Sequence, residues 1–355
     1  MRITRIEAWP VSMRLSEPYT QTFHTYEAAH NVFLKLVTDR RIVGYGCAAP
    51  AELVTGETPE SVLEAIQTIV EPSIKGMDPL RSTLIMEKLR AEVFDKPAVL
   101  GAVDMALFDI LGKRSRLPLW RLLGGFRSHI DTSITVGILP EEETVEQTRA
   151  WVDGGFRRIK LKGGHDVGLD AARVMQVREA VGSEVSLCFD ANQGYTAEQT
   201  SWFAEQTIPA RLQFIEQPTP QGDLELLGQI KRDIAIPVMA DESLITLGDA
   251  NRLAQGRMVD MMNVKITKVG GLSTGRQMIS VAKSANIQVM IGSMDESALG
   301  VSAGLQLALA CPNVAFADLD GHIGLEDDPA AEAILLKDGA LYPSDKFGLG
   351  FNPPE

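Results

Sequence analysis

Six charged residues in the last two thirds of the chain recur at nearly one interval. Lys162, Asp190, Glu216, Asp241 and Lys265 follow one another at 28, 26, 25 and 24 residues, and the rhythm runs on through Gly292 to Asp318 at 27 and 26. Three carboxylates brought together repel, and a hard divalent cation with oxygen ligands relieves that repulsion. Mg²⁺ suits the role because it keeps positions open for substrate oxygens. Lysines flanking such a cation could move protons. Removing a proton next to a carboxylate gives an enediolate, a poor anion that a metal on the carboxylate oxygens stabilises, typically by several kcal/mol. A carbon held between two amines can lose a proton to one and regain it from the other on the opposite face, which inverts its configuration.

The interval is that of one strand, one helix and two loops. Short apolar runs ending in a polar residue, ITVGI, RRIKLK, SLCFDANQGY, LQFIEQP, PVMADES, MMNVKITK, VMIGSM and AFADLD, alternate with helix-like stretches. Eight such units over roughly 200 residues predict an α/β architecture, a modified (β/α)₈ barrel. Thr196 and Gln199 form a capping box ahead of Trp202 and Phe203. Barrel strands are nearly all apolar, so a charge belongs at the carboxyl end, where the active sites of this fold sit. Asp190, Glu216 and Asp241 end strands three, four and five. Helix capping could explain one such acid and is hard to sustain for three in register. Lys160 and Lys162 share a face of strand two. Their mutual repulsion, with the metal and desolvation, suits Lys162 to act as a base. Lys265, on strand six, would face it across the ring. Asp318 and Asp320 share a face of strand eight, opposite strand four, and would hold a protonated amine, with local helix capping as the alternative. A substrate with a carboxylate at one end and an ammonium at the other follows. Counting Asp190, Glu216, Asp241, Asp318 and Asp320 against Lys160, Lys162 and Lys265 gives a mouth that one Mg²⁺ makes neutral, fitting a zwitterion.

The whole chain excludes other classes. Its 355 residues are 45% hydrophobic and 23% charged, and 34 bases against 47 acids leave a net charge of −13 with no basic run. That is the wrong sign for nucleic acid or an anionic membrane surface. Cys47, Cys188 and Cys311 are too far apart for a CxxC site and suit a reducing cytoplasm. The start, MRITRIEAWPVSMRL, lacks the apolar core of a signal peptide, and no apolar stretch of about 18 residues could span a bilayer. Residues 1–125 read as an α+β unit. Alternation in Ile3 to Trp9, Val32 to Val37 and Val43 to Cys47 predicts a short meander, and Val103, Leu107, Ile110 and Leu111 a helix stopped by Pro118 and Gly124. The barrel takes residues 126–322, and 323–355 return to the first unit. The five histidines show no metal spacing, and KLKGG and KVGGL match no phosphate-binding loop.

The set KLK at 160–162, DANQG at 190–194, EQP at 216–218, ADES at 240–243 and NVK at 263–265 resembles the muconate-lactonizing subgroup of the enolase superfamily. The resemblance extends over essentially the whole chain, including ALFDILGKRSRLPLWRLLGG. It implies an N-terminal α+β capping domain over a modified barrel, Mg²⁺ on Asp190, Glu216 and Asp241, and acid/base roles for Lys162 and Lys265. Asn192, Glu242 and Lys268 would support the lysines and the metal. GSMDES at 292–297 and FADLDG at 316–321 resemble the dipeptide epimerases, relatives of L-Ala-D/L-Glu epimerase. On that resemblance Asp318 and Asp320 bind the free amine of a dipeptide, Lys160, Asp295 and Glu296 join the substrate site, and catalysis inverts Cα of the C-terminal residue. His24 stands where members preferring a glutamyl side chain carry Arg, and His322 replaces the usual Pro; both leave the side chains of the substrate open. A homo-oligomer is expected. Rival readings are an N-acylamino-acid racemase, a proline-betaine-type epimerase, and a lyase or cycloisomerase of the same subgroup. A catalytically silent small-molecule binder is the rival outside enzymes. Only a substrate with a free amine needs Asp318 and Asp320.

Overall fold

The structure is a computed structural model that describes residues 1–21 and 24–353, with the side chains of residues 17–26 outside the description. A three-stranded antiparallel sheet opens the chain: β1 (Ile3–Gln21), β2 (His24–Thr38) and β3 (Val43–Ala48). β1 and β2 are much longer than the short meander that the alternation predicts. Their ribbon runs on past a register shift between Arg14 and Tyr19, where backbone pairing continues without the alternating pattern that a packed sheet requires. Gly44 and Gly46 let β3 press on the helix Pro97–Ser115, since a Cβ at Gly46 would lie 1.9 Å from the Ala102 carbonyl oxygen. That helix is buried on almost every side and ends at Arg116 in the left-handed region, two residues before the stop read at Pro118.

A short strand, β4 (Ile130–Asp131), precedes the barrel. The eight parallel strands are β5 (Ile134–Val136), β6 (Arg158–Lys162), β7 (Ser186–Asp190), β8 (Ile215–Glu216), β9 (Val238–Ala240), β10 (Met261–Lys265), β11 (Gln288–Gly292) and β12 (Val314–Asp318), in sequence order round the sheet. Each matches one of the eight apolar runs. A parallel bridge from Thr132 to Ala317 brings the first and last strands together. The helix Ala197–Gln206 begins at the Thr196–Gln199 capping box. Inside the barrel, Cys188, Phe214, Met239, Met261 and Met290 pack with Phe316 as a plug, so only the carboxyl-end mouth is open.

The last strands, β13 (Ile334–Lys337) and β14 (Ala340–Pro343), pair with each other and with β4. The chain then reaches the cap: Asp109 accepts from the Leu349 N–H at 2.8 Å, and Phe351 stacks edge-on against Phe33 and Tyr45. Asp104 is buried in the same helix and accepts from the backbone and hydroxyl of Ser273, holding the cap to the start of the barrel helix Leu272–Ser284. The three cysteines are free. Among the described residues no helix is long and apolar enough to cross a membrane.

Candidate active site

The strand register delivers the charged residues side by side. Lys162 pairs with Asp190 and Asp190 with Glu216 across β6, β7 and β8, while Lys265 and Asp318 both lie level with Gly292. β9 ends at Ala240, so Asp241 stands on the loop just beyond. Asp190 and Glu216 are fully buried, and Lys160, Lys162, Asp241 and Asp318 nearly so. Such charges persist only with partners.

The partners are mostly each other. Lys162 Nζ donates to Asp190 Oδ2 at 2.7 Å and to Asn192 Oδ1 at 3.0 Å. Lys265 Nζ lies 2.9 Å from Asp241 Oδ2, and Lys268 engages Asp241 Oδ1 and its carbonyl. Lys160 pairs with Asp318, whose other oxygen accepts from Ser133 Oγ at 2.5 Å. Each lysine of the KLK motif therefore has its own carboxylate, which offsets the mutual repulsion expected of them. Burial opposes the charge on Asp241 and on Lys265, yet their mutual attraction prevails, holding the carboxyl low and the ammonium high. Burial likewise opposes Lys160, which Asp318 and Glu216 raise well above the ordinary lysine value.

Glu216 is the exception. One oxygen accepts from Asn263 Nδ2 at 2.6 Å, while Oε2 is buried without any hydrogen-bond partner. Burial and then the charge of Asp190 push its carboxyl up to about 8. Glu242 behaves similarly: Oε2 is buried and unpartnered, and burial with Asp241 raises it to about 7. Among the described residues no ready-made cage of acids, histidines or cysteines is gathered for a metal, because ammonium groups occupy the flanking acids. Yet an all-oxygen donor set with a bare buried carboxylate oxygen at its centre fits a hard dication. Asp190, Glu216 and Asp241 are the residues that would hold it.

Above the mouth lies a cavity of about 1090 Å³ lined by Lys160, Lys162, Lys265, Asp241, Asp318 and Asp320, together with Asn192, Glu242, Ser293 and Asp295. Asp320 accepts from the Thr135 N–H at 2.7 Å, and burial with the neighbouring Asp318 raises its carboxyl. Glu296 sits deeper, bonded to Thr267 and the Met294 N–H, and burial raises it to about 7. Asn31, from β2, donates to the Asp295 carbonyl at 3.1 Å and accepts from the Ser297 N–H at 2.8 Å, tying the cap to the loop after β11. The backbone of His24 lies in β2, but its side chain falls outside the described residues.

Sequence reasoning missed several of these groups. Asn263 belongs to the NVK motif, yet only its lysine drew a role. Gln217, at a positive φ of 34°, accepts from the Asp241 and Ser243 N–H groups and so sets the turn after β9. EQP signalled it. Ser133, Thr135 and Asn31 carry no local signal, since their importance lies in partners far off in the chain.

An open mouth lined by lysines from opposite strands and acids from consecutive ones defines a barrel enzyme of the enolase kind, and the comparisons agree. Residues 143–355 match the enolase C-terminal domain-like family, and residues 4–124 match the N-terminal domain of the mandelate racemase / muconate lactonizing enzyme family. The chain belongs to this family. It is 35% identical to the L-Lys-D/L-Arg epimerase of Desulforapulum autotrophicum, over 99% of both chains. Two solved structures superpose with TM-scores of 0.96. One is a substrate-liganded complex of the L-Ala-D/L-Glu epimerase from Bacillus subtilis, 30% identical over 99% of this chain and 98% of that one. The other is the dipeptide epimerase from Enterococcus faecalis with Mg and L-Leu-L-Tyr, 32% identical over 99% of both.

Proposed function

We propose that this protein is a Mg²⁺-dependent dipeptide epimerase that inverts Cα of the C-terminal residue by a two-base mechanism. The observation that carries the mechanism is the placement of Lys162 and Lys265 on strands four apart in an eight-strand ring. Both line one cavity. Asp190, Glu216 and Asp241 would hold Mg²⁺, which would supply positive charge beside the carboxylate of the substrate. Lys162 and Lys265 act as base and acid: one, neutral, takes the Cα proton into its Nζ lone pair, and the other, as ammonium, returns a proton to the opposite face. Asn192 holds the Lys162 ammonium, Lys268 shares Asp241 with Lys265, and Glu242 brings an unpartnered oxygen to the same wall. Asp318 and Asp320 receive the free amine, with Lys160 and Ser133 fixing Asp318. Asp295 and Glu296 support the substrate from the loop after β11.

A free amine and a free carboxylate are thus both recognised, which favours a dipeptide over an acylated amino acid. The free cysteines support a cytoplasmic setting. Exposed Leu80, Leu84 and Phe94, on and beside the helix Ser82–Glu92, support a homo-oligomer. The test is incubation of the Mg²⁺-loaded enzyme with a dipeptide library in D₂O, followed by mass spectrometry and chiral analysis. Deuterium enters Cα of the C-terminal residue with inversion, and only when Mg²⁺ is present. Absence of uptake from every dipeptide would refute the proposal.

A further inference from the structure

The two lysines that flank the mouth are held at their roots in different ways. Lys265 closes β10, and its carbonyl accepts from the Val269 N–H at 3.0 Å, so the backbone turn that follows fixes it. Lys162 closes β6 ahead of Gly163 and Gly164, and its carbonyl accepts from a side chain, the Arg173 guanidinium, at 3.1 Å. Arg173 lies on the helix Val167–Val181, paired one turn back with Asp170. Both side chains are nearly fully buried.

Asp170 gathers the rest of the loop. Its Oδ2 accepts from the Gly164 N–H at 2.8 Å and from the Tyr195 hydroxyl at 2.5 Å, while Oδ1 takes Arg173. Tyr195 follows the DANQG loop, with its ring against Phe189 and Phe203. Burial and then Asp170 raise its phenol, so it remains a donor. The three side chains thus join the loops after β6 and β7, which carry Lys162 and its partners Asp190 and Asn192. Little slack is left between them: a Cβ at Gly163 would lie 2.6 Å from Asp170 Oδ2, and one at Gly164 2.1 Å from the Ala191 carbonyl oxygen. A buried ion pair stabilises a fold no better than apolar side chains of the same volume. Its use here is direction, since a misplacement of about 1 Å at a reacting group can cost about 10²-fold in rate.

Building on the two-base reading, we propose that Arg173, Asp170 and Tyr195 form a positioning unit that aims Lys162, and only Lys162, at its face of Cα. The test follows loss of the Cα proton in D₂O from the two C-terminal epimers of whichever library dipeptide the Mg²⁺-loaded wild type exchanges fastest, each epimer supplied separately. Lys162→Ala identifies the epimer that Lys162 serves. The double variant Asp170→Leu/Arg173→Met replaces the buried pair with apolar side chains, a change that such pairs often tolerate in folding. Its kcat for exchange from the Lys162 epimer falls by roughly 10²-fold with KM nearly unchanged, while exchange with retention from the Lys265 epimer stays within about twofold of wild type. Tyr195→Phe keeps the ring against Phe189 and Phe203 and gives the same one-sided fall at roughly threefold to tenfold, the scale of one hydrogen bond. It decides the matter if the double variant does not fold. A fall shared equally by both epimers, a fall on the Lys265 side alone, or none on either overturns the positioning unit and leaves the epimerase reading standing. No exchange from any dipeptide by the wild type, or undiminished exchange from both epimers by Lys162→Ala, overturns the two-base reading, and the unit with it.

Discussion

Two acidic walls face each other across the same mouth, and they differ in how their oxygens are satisfied. On the β12 side both oxygens of Asp318 are engaged, by Lys160 and by Ser133, and Asp320 takes the Thr135 N–H. On the β7–β9 side Asp190 and Asp241 hold lysines, but Glu216 keeps a buried oxygen with no partner. Burial raises the carboxyls of Glu216 and Asp320 alike, so formal charge does not tell the walls apart. Satisfaction does. A wall whose oxygens are organised by its own protein is a shaped receptor for a ligand that arrives as a cation, whereas a bare buried carboxylate oxygen is costly until an ion covers it.

The largest effect should come from the groups between the walls. Lys162→Ala and Lys265→Ala each remove one of the two proton carriers, and each is expected to lower epimerisation by roughly 10²–10⁴-fold, the range of general acid–base catalysis. Each variant keeps exchange of the Cα proton in one epimer only, and the two variants keep opposite epimers. Normal turnover of both epimers by Lys265→Ala in D₂O would break the two-base scheme and with it the orientation of substrate between the walls.

The walls themselves separate in a crossed measurement. Glu216→Gln is expected to weaken Mg²⁺ binding, read by calorimetry, by more than the roughly 10–100-fold typical of losing a group that only orients a ligand. Asp320→Asn leaves the Mg²⁺ affinity unchanged and raises KM for a dipeptide by about tenfold or more, since truncating one partner of a desolvated charge pair costs about 2–5 kcal/mol. If Asp320→Asn weakened Mg²⁺ as much as Glu216→Gln, the walls would form one site and the contrast would fail.

Much of this was legible in the sequence because barrel strands repeat. Lys162, Asp190, Glu216, Asp241 and Lys265 end five consecutive units and Asp318 the next but one, at a nearly constant spacing, and that spacing alone places them on one rim. The eight strands and the Thr196 cap were readable for the same reason: local pattern and fold agree. What the sequence hid depends on distant pairing. The Lys160–Asp318 pair joins residues 158 positions apart, so Lys160 looked like a second free ammonium beside Lys162. The bare oxygen of Glu216 is a property of packing that no spacing encodes. The length of β1 and β2 was missed because the alternation of apolar residues that marks a strand stops short of their outer, paired part.

The smallest expected effect tests how closed the β12 wall is to further charge. His322 follows that wall, between Gly321 and Ile323, which line the cavity. Burial pushes its imidazole down to about 4, and Nδ1 lacks a hydrogen-bond partner. The folded protein therefore holds His322 neutral, while the unfolded chain protonates it near pH 6.5. Between about pH 6.5 and 4 the unfolded state binds more protons, so stability falls as the pH falls, by roughly 3 kcal/mol at most. Above about pH 7 His322 contributes no pH dependence. Urea denaturation of the wild type and of His322→Gln at pH 7, 6, 5 and 4.5 should give parallel values at pH 7 and a gap that widens in favour of the variant as the pH drops. Curves that stay parallel throughout would mean that the turn admits the imidazolium, and the β12 wall would then be as open to an added cation as the wall of Glu216.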